Sequence, residues 1–535
     1  MLTRVARVLL LAVLLTNLLF LSACASANSP ARAENRLIYG LTLQPAGFDP
    51  HLHASSELSI PMRQVYDTLV YRDPQTQDFV HGLASSWTIS PDGRVYTFTL
   101  KQGVTFHDGT PFNAQAVATN LDRITNPENA SQRAVFMLGS YAGYEIVDDY
   151  TIRLLLAEAY SPLLDSLSQV YLGIASPTAL SQYTNERYQF YQVGTGPYRM
   201  VEYVPTDRLV LERNPDYAWG PSFYAPPEEN GVDAIEFRFF TDAATRALAL
   251  EGGEVQVMGE LPPVDARALA ASNTVRIIPV TVPGQPLQFM MNTARFPTDT
   301  VAIRQAIVLA TNREAIIDTV FQRFSPVAWA PLSATTRFYN ASLAGAYGYD
   351  LSRARSLIES VGFADADNNG YYDFGGAELR VTVIAPTWGM VPEVVQLLQD
   401  HWRDAGIRAV IQPVPTRSSL IEMVNGGEYN LVAYYEFGAD PSILNNYFTS
   451  NGAYNWTGYT DAELDRLLRD AVIQTDPNTR AALYAQAQQI IMEQALILPI
   501  RDYVNLNGVR STIDRVAFDA YGWAPLLTNF VDSGE

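Results

Sequence analysis

The sequence predicts a mixed α/β fold, and three local patterns carry that expectation. An apolar strand pattern (Ile235, Phe237, Phe239) is followed by a helix over Ala243–Leu250, the breaker Gly252-Gly253 and a second strand over Val255–Met258. Such a β-α-β order favours a sheet with parallel pairs. Trp87–Leu100 reads as a hairpin, because Ser90-Pro91-Asp92-Gly93 is a turn signal and Val95 to Thr99 are strand formers. Late in the chain, apolar residues recur at helical spacing (Leu464, Leu467, Leu468, Ala471).

In chain order, residues 1–23 read as an export signal. Arg4 and Arg7 are the only charges before Cys24, and Val8–Leu21 is a mostly apolar run of 14 residues. That run makes about 21 Å of helix, short of a hydrocarbon core of about 30 Å, so it suits a cleaved signal better than a stable span. Residues 24–34 are small, polar and proline-containing, as expected of a flexible tether. His51-Leu52-His53 would place two imidazoles on one strand face, as a solvated pair or a metal site. His107-Asp108-Gly109 marks a turn before a helix over Asn113–Ile124, and Asp299–Phe321 holds a pair of helical segments. A strand is expected over Leu379–Ile384, and another over Leu431–Tyr435. Thr460-Asp461-Ala462-Glu463 fits a capping box, and Asp476-Pro477 opens the next helix as cap and first-turn proline.

Composition excludes several classes. The 535 residues carry 36 basic and 56 acidic side chains, a net charge of −20, so a general nucleic-acid binder lacks its basic face. The single cysteine rules out an internal disulfide framework and multi-thiolate metal sites. No nucleophile elbow is present, since Gly139-Ser140-Tyr141-Ala142-Gly143 places serine at the wrong position. Zincin and phosphate-loop motifs are absent as well, and no cofactor is expected. Acidic residues are plentiful, which leaves a secreted hydrolase using paired carboxylates as an alternative, although nothing singles out a general acid. Asp365, Asp367 and Asn369 precede Gly370 with the spacing of a calcium loop, and Asp373 falls at the ninth position. Position 12 is Gly376 where a bidentate glutamate belongs, so an Asx-rich turn is the competing reading.

Two sets of residues carry a family resemblance. Leu21-Ser22-Ala23-Cys24 resembles a bacterial lipobox, which implies that Cys24 is lipidated and becomes the mature N-terminus. SWTISPDGRVYTFTLKQGVTFHDGTPFNA (Ser86–Ala114) resembles the signature region of extracellular solute-binding proteins of the peptide/nickel type, family 5. Further landmarks follow in the family's order: LVYRDPQT (Leu69–Thr76), GTGPY (Gly194–Tyr198), RNPDYAW (Arg213–Trp219) and MNTARFPTDTVAIRQAI (Met291–Ile307).

The resemblance implies a two-lobed periplasmic-binding-protein-like (type II) fold with an extra inserted subdomain. Lobe I would comprise 35–57, 176–285 and 500–535, the inserted subdomain 58–175, and lobe II 286–499. It also implies a non-enzymatic receptor that captures a solute by hinge closure and delivers it to ABC transporter permease subunits. The protein would act as a monomer outside the cytoplasmic membrane, held to its outer face by the lipid on Cys24. Peptide-binding relatives place an aspartate four residues before the proline that is here Pro441, a position held by Phe437. The arginine anchor of dipeptide binders matches Pro392 or Glu393. An oligopeptide therefore needs Glu436 or Asp440 as substitute anchors; an oligosaccharide would stack on Phe437 and Trp388, and a metal chelate is a further alternative ligand. The expected ligand contacts are Trp388, Tyr435, Glu436, Phe437 and Asp440, because they follow strand ends in the larger lobe.

Overall fold

The computed structural model describes residues 35–225 and 231–534, so the expectations for the signal, the tether and Cys24 lie outside the described residues. Two sheets dominate. The seven-stranded sheet of lobe I runs 275–281, 504–510, 257–258, 36–41, 234–239, 208–213, 198–204 from edge to edge. Arg36–Leu41 pairs in parallel with both Ala234–Phe239 and Val257–Met258. The β-α-β unit read from the sequence is therefore present, with Arg36–Leu41 slotted between its two strands. The five-stranded sheet of lobe II has the order 408–414, 380–386, 431–434, 287–291, 497–501. Its strand Arg380–Pro386 is parallel to both Arg408–Val414 and Leu431–Tyr434.

The chain crosses between these sheets twice. It leaves lobe I after Thr281 and enters lobe II at Leu287, then leaves at Arg501 and re-enters at Val504. A separate antiparallel sheet of four strands (84–89, 95–100, 151–156, 141–148) is inserted between the first strand of lobe I and Tyr198–Val204. The 90–93 hairpin turn joins the first two of these strands, in register Trp87↔Phe98.

Period-2 alternation sorts the lobe II core onto two faces. Phe289, Met291, Val383 and Ala433 face the helices Val301–Leu309 and Val391–Asp404. Met290, Ile384, Val432 and Tyr434 face Ile443–Phe448, Ala462–Ile473 and Pro477–Glu493. A strand covered on both sides is buried throughout, which explains why Leu287–Met291 is apolar at every position but Gln288. Among the described residues no helix is long and apolar enough to cross a membrane.

Local punctuation worked well at Asn113 and Asp476, whose side chains accept from the Ala116 and Thr479 N–H groups. Two expectations need correction. The cap of helix 462–473 is Asp461, which accepts from the Leu464 N–H at 2.7 Å, and Glu463 is taken up by Arg466 instead of a capping box. A carboxylate is a stronger acceptor than the Thr460 hydroxyl, so the start shifts by one residue. His51 and His53 lie in a turn folded back on Asp49, not on a strand. His51 is buried, donates from Nε2 to the Gly173 carbonyl at 2.7 Å and accepts from Arg123 at Nδ1. Burial and then the Arg123 charge push this imidazole down to about 4.

Candidate functional site

Parallel strands end together, and in each lobe they end on the same rim. In lobe II the C-terminal ends of 380–386, 408–414 and 431–434 deliver Trp388, Arg417 and Tyr435–Phe437 to one edge. Cross-strand register brings Gln288 to that edge opposite Tyr434, and Arg501 opposite Leu287. In lobe I the parallel strands 36–41, 234–239 and 257–258 end at Thr42, Phe240 and Glu260. The two rims face one another across the crossings.

They touch through aromatic rings. Phe437 lies 4.7 Å from Tyr503 and 5.4 Å from Trp523, and Tyr435 lies 5.3 Å from Phe437 and 5.5 Å from Tyr503, centroid to centroid. The first crossing is tied to the same segment, since the Gln285 N–H donates to the Glu436 carbonyl at 2.7 Å and the Gly438 N–H to the Pro283 carbonyl at 3.0 Å. Gly284 between them sits at φ 136°, where a Cβ would collide with the Glu436 carbonyl oxygen, so only glycine permits this approach.

Polar groups frame the rings. On the lobe I side the Tyr503 hydroxyl donates to Glu260 at 2.6 Å, and Glu260 also accepts from the Thr42 hydroxyl at 3.0 Å. Glu57, buried beneath them, accepts from the Thr42 N–H at 3.0 Å. Burial, and then the neighbouring Glu260, push the Glu57 carboxyl up to about 8. On the lobe II side Glu436 accepts from the Tyr447 hydroxyl at 3.0 Å and the Tyr434 hydroxyl at 3.3 Å. Arg417 lies over the rings of Tyr434 and Tyr454 at 5.5 and 5.9 Å. Buried atoms without a hydrogen-bonding partner among the described residues cluster here too: Trp523 Nε1, Arg501 Nε and both amide atoms of Gln285 and Gln288. Such atoms want water or a solute.

The structure brings three of the five expected contacts to the seam. Tyr435 and Phe437 point toward lobe I; Glu436, one residue on, turns to the opposite face of the strand end and meets its tyrosines. Trp388 is half-buried at the neighbouring strand end. Asp440 needs correction as a free anchor: it is buried and bound bidentately by Arg480 at 2.7 and 2.8 Å, and it accepts the Ser442 N–H at 2.9 Å. Burial raises its carboxyl, but Arg480 more than offsets this and holds it below the usual carboxylate range. Glu260, Arg417, Tyr503 and Trp523 were not singled out from sequence, because each sits on a rim segment with no local motif.

Asp365, Asp367 and Asp373 bring carboxylate oxygens within 4.8 Å of one another at the entry to the strand Arg380–Pro386, the end remote from the rim. Asp365 also accepts the Asn369 and Gly370 N–H groups at 3.0 and 3.1 Å, and the Asn369 side-chain oxygen accepts from the Tyr371 N–H, the bonding of an Asx-rich turn.

Comparison with known proteins now has a geometry to meet. The model of bacterial extracellular solute-binding proteins, family 5 (Middle), matches residues 78–458. The chain belongs to this family. As a family 5 solute-binding protein it is 27% identical over 532 residues to di/tripeptide-binding protein 1 of Pseudomonas aeruginosa, covering 94% of this chain and 95% of that protein. It is 26% identical over 480 residues to the glutathione-binding protein GsiB of Salmonella typhimurium, covering 89% of this chain and 91% of the other. The two-lobed fold is that of NikA from Brucella suis in complex with Fe(III)-EDTA, with a TM-score of 0.82, 22% identity and coverage of 93% and 99%. AppA, the oligopeptide-binding protein of Bacillus subtilis, solved with a nonapeptide, superposes with a TM-score of 0.73 at 19% identity, covering 93% and 99%. Family 5 membership makes the protein an extracytoplasmic solute-binding receptor of the ABC-importer type.

Proposed function

We propose that this receptor captures an oligopeptide between its two rims by hinge closure and passes it to an ABC importer. The observation that carries the reading is the seam itself. Two strand-end rims, joined by only two chain crossings, meet through Tyr435 and Phe437 on one side and Tyr503 and Trp523 on the other. A ligand held by both rims contacts its full set of groups only when they close, so binding shifts the population toward the closed form. Trp388, Tyr435, Glu436 and Phe437 are the lobe II contacts in this reading, with Tyr503 and Trp523 opposite them; Asp440 acts indirectly, by shaping the segment that carries Phe437. The di/tripeptide and glutathione receptors among the relatives support a peptide ligand. Lipidation of Cys24 would tether the monomeric body to the outer face of the cytoplasmic membrane.

Calorimetry with a tripeptide library, paired with small-angle scattering, tests this. The expected result is heat of binding, a smaller radius of gyration and intact peptide recovered afterwards. Silence toward peptides with heat from oligosaccharides would overturn the peptide reading, and released hydrolysis products would overturn the receptor role. Mass spectrometry of the mature N-terminus tests the anchor: a diacylglyceryl cysteine is expected at Cys24.

A further inference from the structure

A second hollow, of about 590 Å³, opens on lobe I, and none of the rings of the seam lines it. Its walls are the strand Tyr198–Val204, residues between 179 and 193, and Asp108 of the inserted region. All of these precede the first crossing, so lobe II contributes nothing to it. The volume falls within the range of about 300–1,000 Å³ that holds small-molecule ligands. Two ring pairs line the hollow. Tyr183 and Tyr191 stack at 4.4 Å with planes 7° apart, and Phe190 stacks on Tyr203 at 5.3 Å and 30°. Tyr191 is 42% exposed and Phe190 36%, and Val201 in the same lining is exposed as well. Aromatic surface left in water in one concave place marks a site of interaction. Polar groups stand unused beside the rings. The Tyr183 and Tyr191 hydroxyls, the Gln182 amide and the Arg187 guanidinium make no side-chain hydrogen bond or ion pair among the described residues; Arg187 only lies over the Tyr191 ring at 5.9 Å.

Charge and backbone narrow the occupant. Glu202 is already held by Arg208 at 2.9 and 3.1 Å, which leaves Asp108 and Arg187 to offset one another across the lining. Such a wall gives neither an anion nor a cation a net attraction. The strand Tyr198–Val204 is an edge of its sheet, but a bulge between Met200 and Glu202 and the charges of Arg199 and Glu202 blunt the addition of another strand. What fits is an uncharged molecule with flat apolar faces and a polar rim. A pyranose ring has that form: its C–H face packs on the electron-rich face of an aromatic ring, and its hydroxyls can bond amides and phenols at the edge. We propose that Tyr183, Phe190 and Tyr191, with Gln182, form a second binding site on lobe I for a neutral saccharide. One lobe holds this ligand, so its binding needs no closure and leaves the seam free for the transported solute.

The test titrates the full chain with maltotriose and with N-acetylated chitotriose at millimolar concentration, read by saturation-transfer NMR and small-angle scattering. At least one of the two trisaccharides should bind saturably with an unchanged radius of gyration. Tyr191→Ala should weaken that binding about tenfold, while Phe437→Ala, which alters the seam, should bind the sugar as the wild type does. Thermal unfolding checks the fold of Tyr191→Ala; should that variant unfold, the exposed change Gln182→Ala decides, with a loss of about fivefold expected. Absence of saturable binding by both sugars overturns the site, and so does wild-type affinity in the deciding variant. Binding that shrinks the radius of gyration and is lost in Phe437→Ala overturns it too, because the sugar then occupies the seam. Tripeptide calorimetry reads the peptide proposal separately, so either can fail without the other.

Discussion

Ser161 donates its backbone N–H to the carbonyl of Val472 at 2.8 Å, and its hydroxyl to the carbonyl of Gln474. Ser161 follows the last strands of the inserted sheet, and Val472 lies in the final turn of helix 462–473 in lobe II. Carbonyls at a helix C-terminus have no partner within the helix, so the inserted region satisfies acceptors that would otherwise face water. Besides the two chain crossings, this is a direct tie between the halves. A hollow of about 460 Å³ opens beside it, lined by Pro91 and Asp92 on one side and Ile473, Thr475 and Leu483 on the other.

Removing half of that tie should loosen closure. Ser161→Ala deletes the hydroxyl bond and keeps the backbone one, a net loss of about 1 kcal/mol. The closed-to-open ratio should fall about fivefold. Small-angle scattering of the ligand-free protein should register a larger mean radius of gyration, with the melting temperature nearly unchanged. An identical scattering curve would mean that the tie does not set the closure equilibrium.

Asp440 and Arg480 predict a different phenotype. Both are buried and doubly hydrogen-bonded to each other, so Arg480→Leu leaves a buried carboxylate without its partner. The expected loss is about 3–5 kcal/mol of stability, read by denaturant unfolding. The double change D440N/R480L should recover most of it. Because Arg480 holds the Asp440 carboxyl below its ordinary value, this contribution is present above the unfolded pKa and is lost as pH falls through the lower folded value. The wild type should therefore lose an increment of acid stability that the double variant lacks.

These two cases mark the limits of legibility. The helix starts at Asn113 and Asp476 and the hairpin at 90–93 follow from residues within four positions of one another, so sequence reveals them. Rim positions were legible where a strand end could be read, as at Tyr435 to Phe437. Asp440 was misjudged because the partner that occupies it lies 40 residues on, in another helix. Tyr503 and Trp523 come from segments far from Phe437 in the chain, and only the fold brings the three rings together. Long-range pairing of this kind has no period and leaves no local signal.

Glu57 makes stability depend on pH in the neutral range. Its carboxyl is raised from an ordinary 4.5 to about 8 in the folded chain, by burial first and Glu260 second. The folded state then holds its proton more tightly than the unfolded state, so it is favoured at low pH. That advantage is lost as pH rises from the unfolded value to about 8. Glu57→Gln stays neutral and can still accept from the Thr42 N–H. It should match the wild type near pH 4 and exceed it by roughly 2–4 kcal/mol at pH 9. Parallel stability curves for the two proteins from pH 4 to 9 would refute the raised carboxyl.

Phe437 is the ring on which the seam turns. It is the lobe II side chain that meets both lobe I aromatics, Tyr503 at 4.7 Å and Trp523 at 5.4 Å. Such pairs contribute about 0.5–1.5 kcal/mol each beyond the area they bury. Phe437→Ala removes both of these ring contacts. The change should weaken binding of the tripeptide library about tenfold or more. The loss should appear mostly as faster release, because the closed state is what the rings hold together. Trp523 gives a direct optical readout, as its fluorescence on ligand addition should change less in the variant than in the wild type. Phe136→Ala serves as the control: that ring is 74% exposed on the inserted region and makes none of the ring contacts of the seam, and its removal should alter neither affinity nor fluorescence response. Equal ligand affinity for Phe437→Ala and wild type would show that the solute is held elsewhere.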